Sequence, residues 1–440
     1  MNSSSHRRLL DRLAARSPAG VVPRGAALQS LLAELGDPQD QLRSVQIAGS
    51  KGKGSTALYL ESVLRASRRR VGVFTSPHLV RWSERFRIDA AEASSAQLDA
   101  ALEQVDDAVV RLRRLGLEAE LGFFDAALAV ALVLFRDAGV DVAVLEAGLG
   151  GARDATCLAK PAVTCLTSVE LEHTAILGNS IVAIATEKAG IARRGVPLVA
   201  GWLAVDAARV VRATAERAGA PLVEAGAGYD ARVSRTADGR GCRLQFDGLG
   251  IALDVCLPVL GAPLAGCAAV ALACAASVLP PEDLEPALLA RSLASVRLPG
   301  RMELARLGGR DFLVDSAHTA ESARALAQAL RRMGRRAHLV FSLSRDKDLR
   351  GFIEPLIPAL GSAVVTVADP ARSGSPEMLV EQLQAVAPGV ACRAEPDVAR
   401  ALDSARERCG QRELVCVAGS VYLAGRARAL LGLHNGQSAR

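Results

Sequence analysis

Three glycines and two lysines crowd into AGSKGKGST, residues 48–56, between an apolar run and a segment with helical periodicity. Glycines let backbone N–H groups turn inward around an anion, and a following helix N-terminus adds its dipole. Gly49, Gly52 and Gly54 supply such a turn. Lys53 is placed to reach the β- and γ-phosphates of a nucleotide. Ser55, beside Thr56 at the helix start, carries a hydroxyl that can enter a Mg²⁺ shell. The common phosphate loop reads G-x-x-x-x-G-K-[ST]; here the spacing is the shorter G-x-x-G-K, with Gly54 between Lys53 and Ser55. A flexible basic turn is the competing reading, and the strand–loop–helix context favours phosphate. Lys51 reads as a peripheral charge at the loop tip.

Other candidates are single residues. Glu146 ends the apolar strand VAVLE, where an acid is poorly explained by packing; it either holds Mg²⁺ or bonds a loop. His173, in LEHT, reads by itself as a satisfied loop histidine, and Lys188, in TEKAGI, as a solvated helix lysine. Only five of the 53 basic residues are lysine: 51, 53, 160, 188 and 347. A chain that writes arginine almost everywhere keeps lysine where a compact or reactive amine is useful. Arg301, Asp315 and Lys347 have plain readings as a linker charge, a strand-end cap and a surface charge. Phe123 and Phe124, ahead of Asp125, are equally core or ligand wall.

The elements that must position these groups alternate strand and helix. SVQIAGS, VGVFTSPHL, VDVAVLEAGLGG, AVTCLTSVELEH and VPLVAGW are strands. TALYLESVLRASRRR, FFDAALAVALVLFRDAG and SIVAIATEKAGIARRG are helices. Continuous apolar strands between helices predict a doubly wound α/β domain. Residues 1–43 predict two short helices. Residues 226–260 alternate apolar and polar around D-G and G-L-G turns, predicting antiparallel hairpins at the sheet's edge. A second α/β unit begins near residue 297, with DFLVDSAH, AHLVFSLS, AVVTVADP and LVCVAGS as strands, so the expected domains are 1–296 and 297–440.

Composition narrows the partners. Half of the 440 residues are hydrophobic, enough for large cores. A scattered net charge of +6 argues against nucleic acid and suits an anionic substrate. Nine cysteines without a C-x-x-C pair fit reduced packing residues. No apolar run reaches a membrane span and the N-terminus lacks an apolar signal core, so a cytoplasmic protein without membrane association is expected.

Read together, AGSKGKGST, GVFTSPHLVRWSERFRI, FFDAALA, VAVLEAGLGGARDAT, TSVELEHTAILG, EKAGI, PGRMEL, LVDSAHTAESARAL, DKD and VAGSVYLAGRAR follow one another from about residue 30 to 430. The chain thereby resembles the folylpolyglutamate synthase/dihydrofolate synthase family of the Mur ligase superfamily. The resemblance implies a P-loop domain followed by a smaller Rossmann-like domain, with ATP between them. It implies ATP-dependent ligation of L-glutamate to a folate-type carboxylate through an acyl phosphate, by a monomer. It implies two Mg²⁺ sites, with Ser55, Glu146 and His173 as ligands, and carbamylation of Lys188. Arg301 and Asp315 would contact nucleotide, and Lys53, Lys188 and His318 would serve catalysis. Ser76, Pro77, His78, Arg81, Phe124, Arg153 and Asp154 would contact the acceptor.

Several positions depart from the family pattern. Cys157 and Cys267 replace asparagines, Thr319 replaces an asparagine beside His318, Glu172 replaces an aspartate, and an arginine is displaced to Arg153. Each lost hydrogen-bonding partner can cost about 1–3 kcal/mol. A Mur-like ligase for another acid or amino acid, and a nucleotide-binding homologue without ligase activity, are therefore the alternatives.

Overall fold

The structure, a computed structural model, describes residues 26–114 and 121–433. The first of the two helices expected in residues 1–43 lies outside them. Helix α1 (Ala26–Glu34) leads to β1 (Arg43–Ala48), the phosphate-loop segment and α2 (Lys53–Ala66). Then come β2 (Val71–Phe74), β3 (Phe86–Ile88), β4 (Ala91–Glu92), α3 (Ser95–Arg114), α4 (Phe123–Asp137), β5 (Val142–Glu146) and β6 (Pro161–Leu166). A short α5 (Thr174–Leu177), α6 (Ile181–Ala189), β7 (Leu198–Ala200), α7 (Val205–Ala218) and β8 (Leu222–Glu224) complete the first sheet.

That sheet has eight strands in the order β4-β3-β2-β5-β1-β6-β7-β8. β2, β5, β1, β6, β7 and β8 run parallel; β3 and β4 fold back antiparallel at one edge. The register decides what meets. Ile47 pairs with Glu146, Ala48 with Leu166, and Phe74 with Leu145. The segments leaving β1, β2, β5 and β6 therefore emerge side by side at the carboxyl edge, where open α/β sheets bind ligands.

β9 (Tyr229–Arg235), β10 (Cys242–Gly248) and β11 (Ile251–Leu257) form a separate three-stranded antiparallel sheet. This corrects the expectation of hairpins on the edge of the main sheet. Strict alternation of buried and exposed residues in β10 and β11 identifies a half-buried antiparallel face. It does not identify the partner, which is helix α8 (Ala262–Val278). Apolar on nearly all sides, α8 fills the space between that sheet and α2. Tyr59, Leu60, Val63 and Leu64 of α2 are fully buried there, and each of the three aliphatic side chains contributes about 1.5–3 kcal/mol by burial.

After α9 (Pro286–Ser295), β12 (Glu303–Leu307), β13 (Arg310–Val314), α10 (Ala320–Met333), β14 (Ala337–Phe341), α11 (Leu349–Ile353) and β15 (Leu360–Val365) follow. The chain closes with α12 (Pro376–Val386), β16 (Ala391–Ala394), α13 (Val398–Arg408), β17 (Leu414–Ala418) and α14 (Val421–Leu430). The second sheet reads β12-β13-β17-β14-β15-β16, parallel except for β12. Among the described residues no helix is long and apolar enough to cross a membrane.

The loop after β2 joins the two units. Leu79 packs in the core cluster of the second sheet. A Cβ at Gly425, on α14, would stand 1.9 Å from the Leu79 carbonyl oxygen. No side chain fits such an approach without moving backbone. Gly425→Ala should therefore destabilise the protein by about 1–3 kcal/mol, as overpacking does; an unchanged denaturant midpoint would show that the loop is not anchored there.

Candidate functional site

The phosphate-loop segment is held by the strand beside it. Gly49 has φ 143°, and a Cβ there would lie 2.0 Å from Thr167 Oγ1. Thr167 Oγ1 donates to the Lys51 carbonyl at 2.6 Å, Lys51 N–H donates to Ser168 Oγ at 2.9 Å, and Ser50 N–H donates to the Ser168 carbonyl at 2.9 Å. Two ammonium groups, Lys53 Nζ and Lys188 Nζ, each donate to the Gly49 carbonyl at 3.0 Å. Lys188 is 1% exposed, so the sequence reading of a solvated lysine fails. Its other partner is Glu172 Oε1 at 3.1 Å, and Lys51 reaches the same carboxylate at 3.5 Å. Burial pushes the Lys188 ammonium below the usual lysine range, opposed by Glu172.

Glu146 ends β5 beside this loop. Its Oε2 is 3.3 Å from where a Cβ would stand on Gly54, in the first turn of α2 next to Ser55. The carboxylate is buried, and Oε2 accepts from Ser76 N–H at 3.0 Å. Among the described residues it makes no ion pair. Burial raises its pKa, opposed by the charges of Lys53, Arg301 and Arg85 and by the Ser76 N–H. Three cations thus surround a buried carboxylate that none of them pairs. A buried carboxylate without an ion pair is stable only when a counter-charge or a proton takes up its charge.

His173, in the loop after β6, is exposed and adopts a positive φ of 48°. Desolvation holds its imidazole below the usual range, opposed by Glu172 and assisted by Lys347, Lys188 and Lys53. Lys347 itself pairs with Asp346 at 3.0 Å. The second unit thereby places charge beside the first.

Arg301 and Asp315 meet at the junction of the two units. Asp315 is buried, and its two oxygens accept from Met302 N–H and Ala317 N–H, each at 2.6 Å. It therefore fixes the linker backbone, and Arg301 is the charge that opposes its burial-raised pKa. His318 Nδ1 lies 2.8 Å from the Ser316 carbonyl, which places the proton on Nδ1 and leaves Nε2 as an acceptor. Burial, then Lys51, Lys347 and Arg301, drive its pKa down to about 4, against the Ser316 bond.

Three expected acceptor contacts are otherwise engaged. Asp154 accepts from Gly148 N–H, Leu149 N–H, Thr156 N–H and Thr156 Oγ1 at 2.7–3.0 Å, so it builds the loop after β5. Arg153 is exposed and bonds Glu187 at 3.1 Å. Arg81 likewise is exposed and bonds Glu92 at 2.6 Å. The arginine that enters the site is Arg85, which sequence reasoning missed. It is 7% exposed, donates from Nε to His78 Nδ1 at 3.0 Å, and lies 5.3 Å from the Phe123 ring centroid. Desolvation lowers its pKa to about 10, opposed by Glu146 and Tyr422. Phe124 packs against Gly148 and lies 5.4 Å from Phe74 between centroids. Pro77 is exposed on the same loop.

The departing residues have internal partners. Cys157 Sγ donates to the Gly151 carbonyl at 2.8 Å, and Thr319 caps α10. Cys267 Sγ donates to Pro263 O at 3.3 Å and lies 2.9 Å from a Cβ placed on Gly52.

Residues 300–421 match the family described as "Mur ligase, glutamate ligase domain". The chain is 36% identical, over 93% of its length, to a probable bifunctional folylpolyglutamate synthase/dihydropteroate synthase of Haloferax volcanii, and spans only 48% of that protein. A second such relative, of Halobacterium salinarum, is likewise spanned over about half its length, 49%. The chain is 32% identical to a dihydrofolate synthase/folylpolyglutamate synthase of Mycobacterium tuberculosis, over 94% of this chain and 91% of that one. The structure of Mycobacterium tuberculosis folylpolyglutamate synthase complexed with ADP superposes with a TM-score of 0.90 at 30% identity, covering 99% of both chains. That of the Yersinia pestis bifunctional enzyme, complexed with AMPPNP and a Mn ion, gives 0.82 at 29% identity over 97% of both.

Glu146 also predicts a pH dependence. Its folded-state pKa is raised above 4.5, so below about pH 4.5 it is protonated in both states and leaves stability unchanged. As pH rises through the folded value, the native state must ionise in a desolvated setting and stability falls. Metal-free Glu146→Gln should thus be more stable than wild type at pH 7, with the gain vanishing below pH 4.5. Denaturant titrations at both pH values check this; a loss at pH 7 contradicts it.

Proposed function

The chain belongs to the dihydrofolate synthase/folylpolyglutamate synthase family, and we propose that it joins L-glutamate to a folate-type carboxylate in an ATP-dependent reaction. One observation carries the reading: buried Glu146, without a counter-ion among the described residues, stands beside the phosphate-loop helix within the field of Lys53, Arg301 and Arg85. The carboxylate oxygen of the acceptor would attack the terminal phosphorus as the bond to ADP breaks. The amine of glutamate would then displace phosphate from the acyl carbon and lose a proton.

The chain's residues have separable tasks. The loop at 49–54 binds the phosphates through backbone N–H groups, with Lys53 and Arg301 neutralising charge, because phosphoryl transfer is mostly positioning and charge stabilisation. Ser55 and Glu146 would hold Mg²⁺, which when bound supplies charge neutralisation at the phosphates. His173, between Glu172 and Lys347, is assigned to a second metal. Neutral His318 offers Nε2 as an acceptor to the incoming amine. Phe124 and the Ser76–Pro77–His78 loop wall the acceptor. The nucleotide-binding unit ends near residue 296, and closure of the second unit completes the site within one cytoplasmic monomer.

Lys188 is assigned to carbamylation. CO₂ adds only to the neutral amine, which burial favours and Glu172 opposes. Labelled bicarbonate should give a carbamate carbon resonance that is absent from Lys188→Arg. Glu172→Gln should strengthen it, since the carboxylate holding the amine protonated is gone; an unchanged spectrum in both variants removes the assignment.

Turnover tests the reaction itself. Phosphate release from ATP should require both a pteroate or folate acid and L-glutamate. Lys53→Ala should lower kcat by about a hundredfold or more, the scale of losing a charge-stabilising group. Release with a different acid alone would overturn the acceptor assignment, and full activity of Lys53→Ala would overturn the phosphate-loop assignment.

A further inference from the structure

Resting on the ligase reading above, we propose that Arg85 grips the reacting carboxylate of the acceptor acid and carries it to the phosphates. Arg85 is 93% buried (7% exposed), and among the described residues no carboxylate lies within salt-bridge distance of it. A guanidinium is rarely buried without an acid, because its desolvation is otherwise uncompensated. Its Nε is spent on His78 and one face rests on Phe123. The remaining edge carries the two terminal nitrogens, whose fork matches a carboxylate.

The position separates Arg85 from the other cations. Lys53 sits in the phosphate loop and Arg301 at the start of the second unit. Arg85 closes a four-residue turn, Trp82–Arg85, on the loop that also carries His78. Glu146 and, from the second unit, Tyr422 are the acidic groups that feel its charge. An acid that must approach a polyphosphate needs a cation of its own, and Arg85 comes from a different segment than the phosphate-loop lysine. His78 assists: accepting at Nδ1 from Arg85 places its proton on Nε2, so the neutral ring presents a further donor. Arg81 cannot substitute, since it is exposed and committed to Glu92.

The test compares binding of pteroate with that of its carboxamide, which lacks the anion, by calorimetry on wild type, Arg85→Gln and Arg85→Lys, with ADP binding as a third titration. Wild type should prefer the acid. Arg85→Gln should lose acid affinity by about 10- to 100-fold, the worth of a charged hydrogen bond. Its affinities for carboxamide and ADP should stay at wild-type values, and Arg85→Lys should recover part of the preference. Equal weakening toward acid and carboxamide would make Arg85 a packing residue and overturn the proposal. A matching loss of ADP affinity would place Arg85 on the phosphates and overturn it as well. Wild type that binds neither pteroate nor its carboxamide would instead overturn the folate-ligase reading on which the proposal stands.

Discussion

Taking a carboxylate out of water costs several kcal/mol unless a cation and hydrogen bonds replace the lost hydration. Glu146 is buried at the end of a central parallel strand with one backbone donor and no ion pair among the described residues. Lys53, Arg301 and Arg85 approach it from three segments, and each stops short of pairing. A fold evolved only for stability would collapse these charges onto one another. Under the proposed function, phosphates, a divalent cation and a carboxylate would take up these separated charges.

Two scaffolds position these charges. The parallel register of β2, β5, β1 and β6 brings Ser76, Glu146, Gly49 and Thr167 to one edge, where hydrogen bonds from residues 167–170 hold the loop. The second scaffold is the loop after β2, clamped on the second unit by Leu79 against Gly425. The same loop carries His78 and Arg85, so their position is tied to that of the second unit.

The ion pair of buried Lys188 with half-buried Glu172 braces the loop at 49–54. Lys188 joins Lys53 on the Gly49 carbonyl, and Glu172 ties Lys188 to Lys51. An aspartate would be one methylene shorter, so the glutamate at 172 alters how far the carboxylate reaches toward the lysine. Cys157 and Thr319 stand where the resembled family has asparagine, yet both are satisfied locally, one by Gly151 and one as a helix cap. Beside Cys157, however, Gln46 donates from Nε2 to the thiol at 3.3 Å while its buried Oε1 has no hydrogen-bond partner among the described residues.

The strand–loop–helix around residues 48–56 and the α/β alternation were legible from residues alone, because each depends on contiguous chain: glycines around one turn, and a period that changes from strand to helix. For Glu146 the residues left a metal ligand and a loop-bonding acid both open. Arg85 was not legible. Its surroundings come from residues 78, 123, 146 and 422, and within RWSER nothing in the string says which arginine turns inward. Lys188 was read from its helix pattern as solvated, whereas the packing of α6 against the phosphate loop buries it. The alternation in residues 229–257 showed a half-buried antiparallel sheet, and only α8 decided what it covered. Local sequence determined which elements form; burial and partnership, which depend on residues far apart in the chain, were decided by the tertiary structure.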